Sequence, residues 1–199
     1  QRFVRFKSDL EVDPDVVEEL LTAMREAAGQ DPETELSYCA LIEGLGNAQE
    51  HAYPEDRPPQ VFANLPRWWA AGAYDPEKNQ FEFVVYDQGA GIPMTLRTKS
   101  FFPSVLRLCA PARSDADLIA AAIRYGRSRH VRGKSNPEIK GRGNGLWTIC
   151  KLVPELSGSV VRILSGCGEV TVRGHKDITK TLHKTPFCGT LLHWKLQLP

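Results

Sequence analysis

The chain has 199 residues, 42% apolar and 25% charged, which suits a single globular domain with its own core. No apolar run approaches the ~20 residues of a bilayer-spanning helix, and "QRFVRFKSDL" has no apolar signal-peptide stretch, so a cytoplasmic protein with no membrane segment is expected. The first residue is Gln1 rather than Met, which suggests a fragment of a larger protein.

In chain order, "RFVRFKSDLEV" alternates loosely and reads as a strand. "DPDVVEELLTAMREAAG" reads as a helix: Asp13 is a candidate N-cap, Pro14 fits the first helical position and Gly29 follows the end. A second helix opens near Asp31 and Pro32 and ends by Pro54, where "HAYPEDRPPQ" begins a proline-rich loop. Arg67 to Gly89 reads as a hairpin turning at "DPEKN", with Phe81, Phe83 and Val85 on one face. Trp68 and Trp69 are assigned to core and hairpin packing. Residues 93–142 show one clear helical pattern, "DADLIAAAIRYGRSR", and Pro93 is expected to stop regular structure. A helix follows "GRGNGL", and then three short strand candidates, "SVVRILSG", "GEVTVRG" and "GTLLHWKLQL". This order lacks regular strand–helix alternation, so the expected class is α+β, a two-layer sandwich.

The net charge of +1 conceals an asymmetry. Residues 1–92 hold 7 Lys/Arg against 18 Asp/Glu, residues 93–142 hold 11 against 3, and residues 143–199 hold 7 against 3. The basic middle segment points to an anionic partner, either a phosphate-rich small ligand or nucleic acid. The five cysteines, with no C-x-x-C pair, are expected to be free and mostly buried. His130, His175, His183 and His193 have no metal-ligand spacing.

Three stretches carry candidate chemistry. "GRGNGL" opens an apolar helix, as phosphate-binding turns do, but its G-x-G-x-G spacing fits neither the dinucleotide fingerprint nor a Walker A loop. In "EGLGNAQEHAY", Glu43, Asn47 and His51 form a polar stripe at i, i+4 and i+8. Gly44 and Gly46 each cost roughly 1 kcal/mol inside a helix, so close approach by something else is expected. Glu43 can act as a base, and the Asn47 amide oxygen can bind Mg²⁺. In "VVYDQGAGIP", Asp87 ends an apolar strand beside Gly89 and Gly91, where it can accept a hydrogen bond from a ligand amine.

In this order the stretches resemble the GHKL superfamily of gyrase B, heat-shock chaperone, histidine kinase and MutL ATPases. "EGLGNAQEHAY" is similar to the N box, "DQGAGIP" and "GRGNGL" to the two glycine boxes, and "FCGTLLHWKL" to the final box. The motif style most resembles the anti-sigma-factor type of serine kinase. The resemblance implies a Bergerat-type ATP-binding fold: one two-layer domain over residues 1–199, a mixed but mostly antiparallel sheet, helices on one face and a long ATP lid over 93–142. It also implies binding of Mg-ATP, with Glu43 activating water or an acceptor hydroxyl and Asn47 holding Mg²⁺. Asp87 would take the adenine amino group with support from Thr190, and Gly89 and Gly91 would make room for the base. Gly141, Arg142, Gly143, Asn144, Gly145 and Leu146 would wrap the phosphates, with Lys134 and Lys140 as further phosphate contacts. The implied activity is that of an ATPase or protein kinase acting with a protein partner or acceptor, or as a homodimer. An ATP-gated switch is the alternative, and nucleic-acid binding ranks last because a lid explains the basic charge.

Overall fold

The computed structural model describes residues 2–32, 34–54, 66–109, 113–133, 145–152, 158–173 and 177–197. Its elements are β1 (Arg2–Asp9), α1 (Pro14–Ala28), α2 (Thr34–Asn47), a π-helical turn (Ala48–Ala52), β2 (Trp68–Asp75), β3 (Gln80–Asp87), α3 (Ile92–Thr98), α4 (Phe102–Leu106), α5 (Asp115–Gly133), α6 (Gly145–Leu152), β4 (Val160–Arg173) and β5 (Asp177–Gln197). The class is α+β. Five strands form one open sheet in the order β1-β2-β3-β5-β4. Every described pairing is antiparallel, so the expected mixed character is absent among the described residues. None of the described helices is long and apolar enough to cross a membrane.

Local chemistry explains the first elements. The Asp13 side chain accepts from the Asp15 N–H, and Gly29 takes the left-handed conformation, φ 69°, that ends α1. Val17, Leu20, Leu21 and Met24 fall on the face of α1 that the core buries. The β2–β3 hairpin turns at 76–79. One face of the sheet presents Phe81, Phe83 and Val85, opposite Leu196, Trp194 and Leu192 of β5. These side chains join Leu41, Leu45, Ile119 and Ile149 of the helices in a single core. Burying such a face is the main source of stability, at roughly 25 cal/mol per Å² of apolar surface. Trp68 is buried in this core, and its Nε1 donates to the Glu11 carbonyl at 3.1 Å. Trp69 lies on the other face, stacked on Tyr86 with ring centroids 5.4 Å apart.

Segment 93–142 differs most from expectation, since its described residues fall largely in three helices. Pro93 and Pro103 stand in the first turns of α3 and α4. There the missing N–H costs nothing, so Pro93 begins a helix instead of stopping structure. α5 starts with a capping box: the Ser114 N–H donates to Asp117 Oδ2 at 3.0 Å, and the Asp117 N–H to Ser114 Oγ at 3.2 Å. This helix packs on β4 and buries Leu118, Ile119, Ala121 and Ile123, so it belongs to the helical layer.

The C-terminal strands also differ. "SVVRILSG" and "GEVTVRG" are parts of one strand, β4, whose pairing with β5 shifts register between Ser165 and Gly168. β5 covers Asp177–Gln197 and so begins twelve residues before "GTLLHWKLQL". All five cysteines are free, but only Cys150 is fully buried and Cys188 is exposed, which corrects the expectation of mostly buried thiols.

Candidate functional site

The site begins where β3 ends. Asp87 pairs with Thr190 across the β3–β5 ladder and is 6% exposed. Its carboxylate accepts the Gly89 N–H at 2.9 Å and also receives the Thr190 backbone N–H and hydroxyl. Burial outweighs these donors and pushes the Asp87 carboxyl up to about 6. Ser165 Oγ ties the surroundings together, donating to the Gly189 carbonyl at 2.8 Å and accepting the Ile92 N–H at 2.9 Å.

Glycine is required where these chains meet. A Cβ on Gly89 would collide with the Ala52 carbonyl, which accepts the Ala90 N–H at 2.7 Å. Gly91 has φ +77°, and a Cβ there would stand 2.6 Å from Ser165 Oγ. The turn after Asp87 is therefore fixed against both the π-helical turn, at Ala52, and the paired strands β4 and β5, at Ser165 and Gly189.

Above this floor lies a cavity of about 300 Å³, at the small end of the roughly 300–1,000 Å³ typical of ligand pockets. α2 and its π turn supply Gly44, Asn47, Ala48, Glu50, His51 and Ala52 to one wall. The π turn is a feature often found at functional sites. Gly44 lets α2 sit close on the sheet, since its Cβ would come within 3.3 Å of Leu192 and 3.4 Å of Val85. α3 supplies Ile92, Thr95, Leu96 and, at its C-cap, Lys99. Ala122 and Tyr125 of α5 and Leu146 and Trp147 of α6 complete the lining. The lining is mainly apolar, with Asp87 and Thr190 at one end.

The stripe on α2 meets the first residue of α6. A Cβ on Gly145 would stand 2.6 Å from Glu43 Oε2 and 2.7 Å from Asn47 Nδ2. Asn47 Nδ2 and His51 Nδ1 are buried and have no hydrogen-bond partner among the described residues. Buried amides are rarely left unpaired, and no described residue answers the Asn47 Nδ2 donor. Burial, and then the charge of Glu50, raise the Glu43 carboxyl above its ordinary range. Glu43 is not among the residues lining the cavity.

Asn47, Asp87, Gly91, Gly145, Leu146 and Thr190 thus border one cavity, Gly89 shapes its floor, and Glu43 stands behind Asn47. Lys134, Lys140, Gly141, Arg142, Gly143 and Asn144 lie outside the described residues. The described helix α6 begins at Gly145. No group of three or more His, Cys, Asp or Glu able to hold a metal exists among the described residues. Sequence reading missed Lys99, Phe101 and Tyr125, all of which line the cavity. The stacking of Phe101 on Tyr125, with centroids 4.9 Å apart, joins residues far apart in sequence and left no local signal. Comparison of the chain with protein-family models, with curated proteins and with solved structures found no match.

Proposed function

We propose that this chain is a Mg-ATP-binding domain of the GHKL type, with a Bergerat-type sandwich, that hydrolyses ATP or transfers its γ-phosphoryl group to a protein acceptor. The observation that carries this reading is the convergence of Asn47, Asp87, Gly145 and Thr190 on one cavity. Asp87 offers a buried acceptor at the end of an apolar slot, which suits the exocyclic amine of a purine. The apolar walls suit the faces of the base.

The donor set fits Mg²⁺. This ion favours one or two protein oxygens completed by substrate phosphates and water; the Asn47 amide oxygen is the ligand assigned to it, while the buried Nδ2, which has no partner among the described residues, is a donor suited to a phosphate oxygen. Bound there with the nucleotide, Mg²⁺ supplies charge neutralisation at the phosphates. The role assigned to this chain is positioning: Asn47 and Gly145 at the phosphate end, Asp87 and Thr190 at the base end. Glu43, with its raised carboxyl, is the candidate base for water or an acceptor hydroxyl.

A specific observation also favours the ATP-gated switch: Glu43 is outside the cavity lining and its carboxylate abuts Gly145. Nucleotide binding and phosphate release measured on Asn47→Ala and Glu43→Ala separate the readings. Asn47→Ala is expected to lose Mg-dependent binding of ATP. Glu43→Ala is expected to keep binding and lose turnover. If Asn47→Ala binds Mg-ATP like the parent, the assignment of Asn47 fails. If Glu43→Ala changes no reaction, the switch reading replaces the enzyme.

A further inference from the structure

The cavity lining carries two acidic side chains, Asp87 and Glu50, and one cation, Lys99, among the described residues. At the floor, Asp87 offers an acceptor that favours a donor-bearing ligand group. α3 runs away from that floor. Its N-cap, Gly91, packs on Ser165 and Gly189 beneath the cavity, and Ile92, Thr95, Leu96 and Lys99 follow at i, i+3, i+4 and i+7 along the cavity wall. Lys99 is the only Lys or Arg lining the cavity among the described residues. Its ammonium makes no described ion pair or hydrogen bond, whereas neighbouring Arg97 pairs with Asp115 at 3.5 Å.

The backbone carrying Lys99 is held in place. The Lys99 N–H donates to the Leu96 carbonyl at 3.1 Å, and the Lys99 carbonyl accepts the Phe102 N–H at 2.9 Å. Phe101, two residues on, stacks on Tyr125 of α5. An unpaired cation on a fixed backbone can meet a ligand anion with no loop to order, only the lysine side chain itself.

We infer that Lys99 is a phosphate-selecting residue: the anionic tail of the ligand leaves the cavity along α3 and is met by the Lys99 ammonium. This inference rests on the nucleotide reading above. It assigns phosphate recognition to a residue outside the four motif stretches, in addition to any contact from 134–144.

Calorimetric titration of the parent, Lys99→Ala and Lys99→Glu with adenosine, AMP, ADP and ATP, each with Mg²⁺, tests it. Circular dichroism and thermal melting check that the variants are folded. Lys99→Ala is expected to bind ATP about tenfold more weakly, the scale of one charge-assisted hydrogen bond. Lys99→Glu is expected to be weaker still, and both variants should bind adenosine like the parent. The loss should grow from AMP to ATP. An equal loss for adenosine and ATP would make Lys99 a structural residue and overturn the inference, as would parent-like ATP binding by both variants. A parent that binds neither adenosine nor ATP would remove the nucleotide reading and this inference with it, whereas adenosine binding without a phosphate effect at residue 99 would overturn this inference alone.

Discussion

Asp87 is the residue where stability and the proposed function oppose each other. Its carboxyl sits at about 6 against an ordinary 3.8, so the folded protein prefers the protonated acid. Below about pH 4 the group is neutral in folded and unfolded chains and costs nothing. As the pH rises from about 4 to about 6 the unfolded chain ionises before the folded one, and stability falls by about 3 kcal/mol in total before levelling off. Asp87→Asn keeps an acceptor for the Gly89 N–H and removes that cost. In chemical denaturation the variant is therefore expected to be more stable than the parent by up to about 3 kcal/mol near pH 7.5, with the gap closing near pH 4. A gap independent of pH would mean that the Asp87 carboxyl is not perturbed. The "DQGAG" stretch made Asp87 legible as a carboxylate at a strand end. Its burial was not legible, because that depends on Thr190 and Ala52 arriving from elsewhere in the chain.

At the scale of elements, α5 is anchored at its first turn and supplies one wall of the cavity. Asp117 completes the capping box with Ser114 and also pairs with Lys180 of β5 at 2.5 Å. The bond to Lys180 is the main influence holding its carboxyl below the ordinary range. Asp117→Ala removes a cap and a cross-element pair, and is expected to cost about 1–2 kcal/mol, read as a lower urea midpoint with an unchanged slope. An unchanged midpoint would show that α5 is held by its apolar face alone. Sequence patterns revealed α1, α2, the β2–β3 hairpin and the body of α5, because each is long enough to show its period or carries clear caps. α3 and α4 escaped because seven and five residues are too few to display a helical repeat, and a proline marks a helix start as readily as a stop. The first half of β5 escaped because its side chains are mostly exposed and its partner strand, not its own pattern, makes it a strand.

At the scale of the molecule, the sheet order assembles the site. Placing β5 between β3 and β4 brings Thr190 opposite Asp87 and Ser165 beside Thr190, although these residues are widely separated in sequence. The helical layer then sets Asn47 and Gly145 over the same cavity. Motif order pointed to these residues, but their convergence depends on long-range pairing. The basic character of 93–142 is now divided: Arg97 pairs with Asp115 on the surface of the helical layer, while Lys99 lines the cavity. A calorimetric titration of the parent protein and Asp87→Asn with Mg-ATP and Mg-GTP near neutral pH tests whether an adenine nucleotide sits on Asp87. Saturable binding of Mg-ATP by the parent is expected, with little binding of Mg-GTP, which has a carbonyl where adenine has the 6-amino group that would donate to Asp87, and loss of ATP binding in folded Asp87→Asn. No binding of Mg-ATP by the parent, or equal ATP binding by parent and variant, would contradict an adenine nucleotide seated on Asp87.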